Sequence, residues 1–551
     1  MPLRPEYKEI IERASKANQE RIFFAQYPEH PKSYGEEAPL KGKADFEAQL
    51  GKQFCGLLQT NPVAWSGEEV SPYTMQEIGL TYPTFDIDTL IVRASRAFGA
   101  WKETLVDDRA DILVDALERV KNRFFEIAHA TQHTTGQSFM MSFQASGPHA
   151  NDRALEALAM GYQEATRFPN EVVWEKPAGK SVLKLNKKFK PVAKGVSLVI
   201  GCSTFPTWNS VPGIFASLIT GNTVIVKPHP KSIYPMAVVV AEIQAALKEG
   251  GFDTNICQLA VDTLSKPLTK ELAENPIVKL IDYTGGSAFG NYIESLSGKT
   301  TFTEKAGVNS VILDSVSDLA PVLQNIAFSL SLYTGQMCTA PQNIFIPSSG
   351  IKVGDQQMSY EDIVKSLCEA IFGIAKHPQM GPGTFGAVQN ELTIKRVKSV
   401  SDIAKSLLSP STIENPEFPS ARTSSHIVLE VESKDSAIFE SELFGPIVII
   451  VKTESTHQSV SLARDLAAKH GAITCLAYTI DEVLASEIEL EMESSFTPVT
   501  FNFVGGIFVN QHSASSDFHV TGGNPAGNAS FSNPEYVNKR FVWVGHRRMA
   551  Q

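Results

Sequence analysis

The stretch "LSLYTGQMCTAPQ" holds one thiol, Cys338, among small and hydroxylated residues just after Gly335 and Gln336. A thiolate presented there could attack an electrophilic carbon, because thiolates are strong nucleophiles and leave readily. The competing reading is a packed thiol, since free cysteines are among the most buried residue types. A second stretch, "YTGGSAFG", has Gly285, Gly286 and Gly290 where a strand turns into a helix. Such glycines let backbone approach a ligand, although the spacing is not that of a GxGxxG fingerprint. His512 and His519 lie in loop-like sequence and are read as surface residues.

The elements that must position these groups begin near residue 190. "GVSLVIG", "NTVIVKP", "ICQLAV" and "VKLIDYTGG" read as short apolar strands, with helices between the first three. Apolar strands alternating with helices imply a parallel sheet covered on both faces, with ligands at the strands' carboxyl ends. A second strand–helix set starts near 303 and runs through "NIFIP", "HIVLEV", "PIVIIVK" and "AITCLAYTI", with Cys338 at its front edge. Ahead of both, Ile112, Leu113, Ala116, Leu117, Val120 and Phe124 share one helical face, and Gly136 sits where a helix would stop.

Residues 1–55 are polar and read as an extension over the surface, with a short helix at "KADFEAQLGKQF". "KSVLKLNKKFKPV" alternates lysine with apolar residues, as a charged edge strand does. "KRFVWVGHRRMAQ" would make a strand without an obvious partner, and the two together read as arms reaching another subunit.

At 551 residues the chain needs two or more domains. Its six cysteines show no CxxC spacing, which argues for reduced thiols, a cytoplasmic setting and no metal site. The amino terminus is charged and lacks the apolar centre of a signal peptide. No apolar run approaches the roughly 18 residues of a membrane span. A net charge of −11 without a basic face speaks against nucleic acid as a partner.

Four stretches, "STFPTWNSVPGIFASLITGNTVIVKP", "YTGGSAFG", "FTEKAGVNSVIL" through "YTGQMC", and "ESELFGPIVII", resemble the successive signatures of the aldehyde dehydrogenase superfamily, in the family's order. Glu304 and Cys338 stand 34 residues apart, the family's usual spacing of base and nucleophile. The resemblance covers roughly residues 85–551, and the wording of the extension, "TEKAG" and "CSTFPTWN" is most like the PaaN-type proteins of bacterial phenylacetate degradation. It implies an α/β fold of two doubly wound parallel-sheet domains with a protruding oligomerisation arm. The expected layout is an extension at 1–55, a cofactor-binding domain at 56–302 with the arm strand near 174–194, a catalytic domain at 303–508, and a C-terminal segment with an oligomerisation strand at 509–551.

The resemblance also implies roles. Cys338 is the nucleophile and Glu304 the water-activating base, its pKa raised toward neutrality by apolar surroundings. Without its partner, Glu304 would pass for a surface strand residue. Lys227 contacts the adenosine ribose or its phosphate. Gly285 and Gly290 lie near the pyrophosphate, Glu442 holds the nicotinamide ribose, and Phe444 packs beside the nicotinamide. Two departures stand out. The family's oxyanion-binding Asn before "FP" is Thr204 here, with Asn209 a less favoured substitute; losing a good donor costs about 3 kcal/mol of transition-state stabilisation. Three residues after Lys227, Pro230 replaces a glutamate that reads the ribose diol, and His229 and Lys231 flank it. That exchange favours NADP over NAD.

The expected reaction is NAD(P)-dependent oxidation of an aldehyde or semialdehyde to the acid, in aromatic catabolism, with a CoA-linked semialdehyde as one candidate substrate. Alternatives are a CoA-acylating relative, which the presence of Glu304 disfavours, and a non-redox thioester hydrolase or scaffold subunit. A homodimer or homotetramer is expected. "FNFVGGIFVNQH" and "ASSDFHVTGGNPAGNAS" are expected to line the mouth of the substrate tunnel.

Overall fold

The computed structural model describes residues 3–510 and 513–550, so His512 lies outside the described residues. The N-terminal extension lies over the surface and presses its apolar residues onto the core. Helix α1 (Pro5–Glu20) starts on a proline, whose missing N–H a helix does not need at that position, and buries Ile10, Ile11 and Ala14. Arg4, just before it, donates to both carboxylate oxygens of Asp111 at 2.9 and 2.8 Å. Helix α2 (Glu37–Gln49) starts earlier and ends sooner than the sequence suggests. Gly42 lets it press on the next layer, where a Cβ would come within 2.2 Å of Phe125.

Strands β1 (Glu171–Ala178) and β2 (Ser181–Ala193) form an antiparallel hairpin, β1 exposed along almost its whole length and β2 alternating only beyond its first turn-side residues. Strand β3 (Val196–Ile200) opens a five-stranded parallel sheet with β4 (Thr223–Lys227), β5 (Cys257–Leu259), β6 (Val278–Thr284) and β7 (Thr300–Glu304). The order β5-β4-β3-β6-β7 reverses direction between β3 and β6. The crevice at that reversal, beyond the strands' carboxyl ends, is where open α/β sheets bind ligands. The five strands are buried except for Lys279 and Thr284 of β6 and the first two residues of β7, which explains their nearly unbroken apolar runs.

The second sheet has β8 (Ser310–Leu313), β9 (Asn343–Pro347), β10 (Lys405–Leu408), β11 (Ile427–Glu432), β12 (Ile447–Thr453), β13 (Cys475–Tyr478) and β14 (Val499–Phe501). Its order is β10-β11-β12-β9-β8-β13-β14, parallel except for the edge strand β10. The last strand, β15 (Phe541–Met549), pairs along β2 from Phe541↔Ala193 to Met549↔Leu185. The two arm segments therefore partner each other within one chain, which corrects the reading of β15 as a strand without a local partner.

A buried ion pair ties this arm to the first sheet: Arg540 donates to both oxygens of Asp282 on β6, at 2.8 and 2.6 Å, and Tyr536 donates to the same carboxylate at 2.9 Å. Among the described residues no helix is long and apolar enough to cross a membrane.

Candidate active site

The first sheet delivers its functional groups where its strands end. Beyond β3 the chain runs Gly201–Cys202–Ser203–Thr204 into helix α3 (Pro206–Ile219). Amides from elsewhere pin this turn: Gln389 donates to the Ser203 carbonyl at 2.6 Å and Gln137 to the Thr204 carbonyl at 2.7 Å. Lys227 ends β4, the Gly285–Gly286 turn follows β6, and Glu304 ends β7.

Cys338 comes from the facing domain, on a loop with unusual backbone. Tyr333 and Thr334 have φ of 52° and 56°, and Gly335 follows at 63°. Left-handed non-glycine residues cost about 1–3 kcal/mol each, so tertiary contacts must hold them. Tyr333 donates to the Thr135 carbonyl at 2.5 Å and Thr334 to the Phe385 carbonyl at 2.6 Å. Asn309 then donates to the carbonyls of Cys338 and Ala340, at 2.8 and 3.0 Å.

These elements bring Cys338 and Glu304 together with two side chains the sequence reading set aside. Asn209, in the first turn of α3, donates to Glu304 Oε2 at 3.0 Å. His519 Nε2 lies 3.2 Å from Glu304 Oε1 and 3.6 Å from Cys338 Sγ. Far from the surface, His519 is 2% exposed. It lies edge-on to Trp208 and stacks on Phe531, with centroids at 4.7 and 6.0 Å. Its segment is fastened to β7: Lys305 donates its backbone N–H to the Ala526 carbonyl at 2.6 Å, and the Asn528 side chain accepts from the Thr303 N–H at 2.8 Å. No local pattern marks His519, because only the fold returns residue 519 to residue 304.

The electrostatics also differ from the expectation. Burial pushes the Glu304 carboxyl up, but the positive charge that His519 carries when protonated, and hydrogen bonds from His519 in that form, Cys338 and Asn209, outweigh it. The carboxyl is therefore held below its ordinary value rather than raised toward neutrality. Burial drives the Cys338 thiol well up, and the Glu304 charge adds to that.

Two cavities meet at this point. A tunnel of about 350 Å³ reaches Cys338 past Met141, Trp208, Phe328 and Phe508, and its wall is mostly apolar. Phe508 and Asn510 line it, as expected for their stretch, and so does Glu29 of the N-terminal extension, which bonds His149 at 2.9 Å. On the other side a cleft of about 640 Å³ extends over the sheet reversal, lined by Lys227, Gly285, Glu442 and Phe444. Phe205, Asn209 and Cys338 border both.

Thr204 faces the cleft and is absent from the tunnel wall; its hydroxyl serves the half-buried Cys202 thiol. Gly290 does not line the cleft. A Cβ there would lie 2.5 Å from the Lys305 chain, so close packing accounts for that glycine. Glu442 is half-buried, and burial raises its carboxyl to about 7 against the opposing charge of Arg396. Lys227 is buried on Asp262, at 2.7 Å. His229, expected as a positive donor, is pushed down to about 4 by burial and by Lys227 and Lys231, so it is neutral at pH 7. Neither Pro230 nor Lys231 lines the cleft.

Two facing α/β sheets place a thiol and a carboxylate where a ligand cleft meets an apolar tunnel. Residues 66–492 match the model of the aldehyde dehydrogenase family, and the chain belongs to that family. It is an enzyme of the aldehyde dehydrogenase class.

A solved NAD-dependent aldehyde dehydrogenase from Burkholderia multivorans is 40% identical, with a TM-score of 0.96 over 99% of this chain and 98% of that one. Vanillin dehydrogenase of Corynebacterium glutamicum is 22% identical over 84% of this chain and 90% of its own length. A 1-pyrroline-5-carboxylate dehydrogenase from Thermus with bound NAD, 18% identical with a TM-score of 0.74 over 96% of this chain and 99% of that one, shares the fold.

Proposed function

We propose that the protein oxidises an apolar aldehyde or semialdehyde to its carboxylic acid, with Cys338 as nucleophile and Glu304 as base. The observation that carries this reading is the meeting of tunnel and cleft at a thiol beside a buried carboxylate. The aldehyde enters past Trp208, Phe328 and Phe508, and Cys338 sulfur adds to its carbon to form a thiohemiacetal. The cleft suits a nicotinamide dinucleotide, with the Gly285–Gly286 turn opening an eight-residue helix (Ser287–Glu294) for the pyrophosphate, and Lys227 and Glu442 for its riboses. When bound, the dinucleotide supplies the hydride acceptor.

Glu304, ionised and aimed by Asn209, then takes a proton from the water that hydrolyses the Cys338 thioester. Beside both cavities, Asn209 is better sited than Thr204 to donate to the developing oxyanion. For the cofactor we read NAD rather than NADP. Asp262 already occupies Lys227 and Glu68 adds charge nearby, so a 2′-phosphate would meet carboxylates in place of the missing one at Pro230.

The tunnel's aromatic and methionine lining supports the aromatic-catabolism reading, including the phenylacetate branch; vanillin dehydrogenase, among the relatives, is named for an aromatic aldehyde. Six unpaired thiols support a reducing, cytoplasmic compartment. Exposed Val173, Val182, Leu183 and Val542 on the arm sheet support a homo-oligomer.

The test follows nicotinamide reduction with a panel of aliphatic and aromatic aldehydes and either dinucleotide. Cys338→Ala should abolish reduction. Glu304→Gln should keep a single burst of about one equivalent while steady turnover falls at least ~100-fold. Equal reduction by the Cys338→Ala variant would reject the reading. Thioester hydrolysis without dinucleotide, in the absence of any reduction, would favour the non-redox alternative.

A further inference from the structure

We propose that His519 is a third catalytic residue, taking the proton of Cys338 and holding the resulting thiolate as an ion pair beside Glu304. This rests on the aldehyde-oxidation reading above and adds the route of the proton.

The geometry is a short bridge. One imidazole nitrogen touches both reacting groups, at 3.6 Å to the sulfur and 3.2 Å to the carboxylate, and both Glu304 and His519 are buried. Nitrogen, sulfur and carboxylate oxygen all lie within 4.8 Å of one another. The ring cannot swing away without breaking its packing on Trp208 and Phe531. Glu304 is fixed from its other oxygen by Asn209.

The surroundings explain why a cation is needed. The groups acting on Cys338 include Glu304 from β7, Cys202 beyond β3 and Glu442 from the second domain, and each opposes a negative sulfur. A second negative charge beside Glu304 in a buried site is costly unless a positive group lies between them.

The steps balance. Starting from neutral His519 with Nε2 unprotonated, the S–H bond of Cys338 breaks and an N–H bond forms on Nε2, leaving thiolate and imidazolium, with Nε2–H then donating to Glu304 Oε1. Sulfur bonds to the aldehyde carbon, and the carbonyl π pair moves to oxygen. That pair reforms the carbonyl as hydride leaves for the dinucleotide, giving the thioester. Water then attacks while Glu304 takes its proton. The C–S bond breaks, sulfur regains the proton held by His519, Glu304 releases its own to solvent, and the carboxylic acid gives its remaining proton to solvent as it leaves.

The experiment is alkylation of Cys338 by iodoacetamide in the free enzyme, read by mass spectrometry of its peptide from pH 5 to pH 10. The wild type should show an inflection below that of an ordinary thiol, pairing with the imidazolium reversing the upward push of burial and Glu304 on the lone thiol. In His519→Gln and His519→Asn the inflection should move up by more than one pH unit and the rate at pH 7 fall at least tenfold. Glu304→Gln should keep the low inflection, because the imidazolium remains, and this arm stands if the His519 variants do not fold. Loss of the low inflection in Glu304→Gln, or no shift in folded His519 variants, overturns the role of His519 while leaving Cys338 as nucleophile. If wild-type Cys338 reacts no faster than exposed Cys55, the aldehyde-oxidation reading falls as well.

Discussion

At the scale of single residues, the site turns on which buried charges are compensated. Glu304 is held ionised by the donors around it, whereas Cys338, the proposed nucleophile, needs a proton acceptor before it could attack. The same logic governs a histidine outside the site. His426 is fully buried with Nε2 on the Leu330 carbonyl at 3.0 Å, and burial lowers it to about 4. An unfolded histidine binds a proton below about pH 6.5. The unfolded chain therefore gains protons first as pH falls from about 6.5 to 4, and stability is lost across that window, by up to roughly 3 kcal/mol from this group. The melting temperature should drop over this range, and His426→Gln should flatten the drop. A slope identical to wild type would refute the assignment.

At the scale of elements, the loop from Leu332 to Cys338 has conformational requirements that local preference does not meet. Gly335 has φ of 63°, and a Cβ on it would lie 2.6 Å from the Gly445 carbonyl oxygen. Gly335→Ala should lower unfolding free energy by roughly 1–3 kcal/mol in urea titration. It should also slow turnover, since Cys338 lies three residues on. Unchanged stability would mean that the loop is not held as described. The sequence showed this glycine and the thiol after it, but not the left-handed run ahead of them, because Tyr333 and Thr334 carry no local signal for that conformation. The parallel strands were legible for a plain reason: strands buried on both faces read as apolar runs. Edge strands β10 and β14 were not, being short and half-exposed.

At the scale of the molecule, the N-terminal helices pack on the helical layer beside the first sheet, while the C-terminal segment and the arm are tied to that sheet itself. The extension lays the apolar face of its helices on the core and supplies Glu29 to the tunnel, while Arg540 anchors the arm through Asp282. The arm's exposed valines make a specific expectation for assembly. Val173→Asp with Val182→Asp should lower the particle mass by light scattering toward that of a single chain of 60.1 kDa. A wild-type mass already equal to one chain would remove the arm from any role in assembly.

By itself the sequence determined the two strand–helix sets, the nucleophile and base candidates, and the glycine turn over the cleft. Each is written in contiguous residues whose period or type has a direct physical meaning. Tertiary structure alone decided that Asn209 reaches Glu304 from the first turn of its helix, that Asp262 occupies Lys227, and that His519 is buried between Cys338 and Glu304. Those three depend on contacts between residues 35 to 215 positions apart. Charge compensation in a buried site is a property of distance in space, and no local pattern in the chain records it.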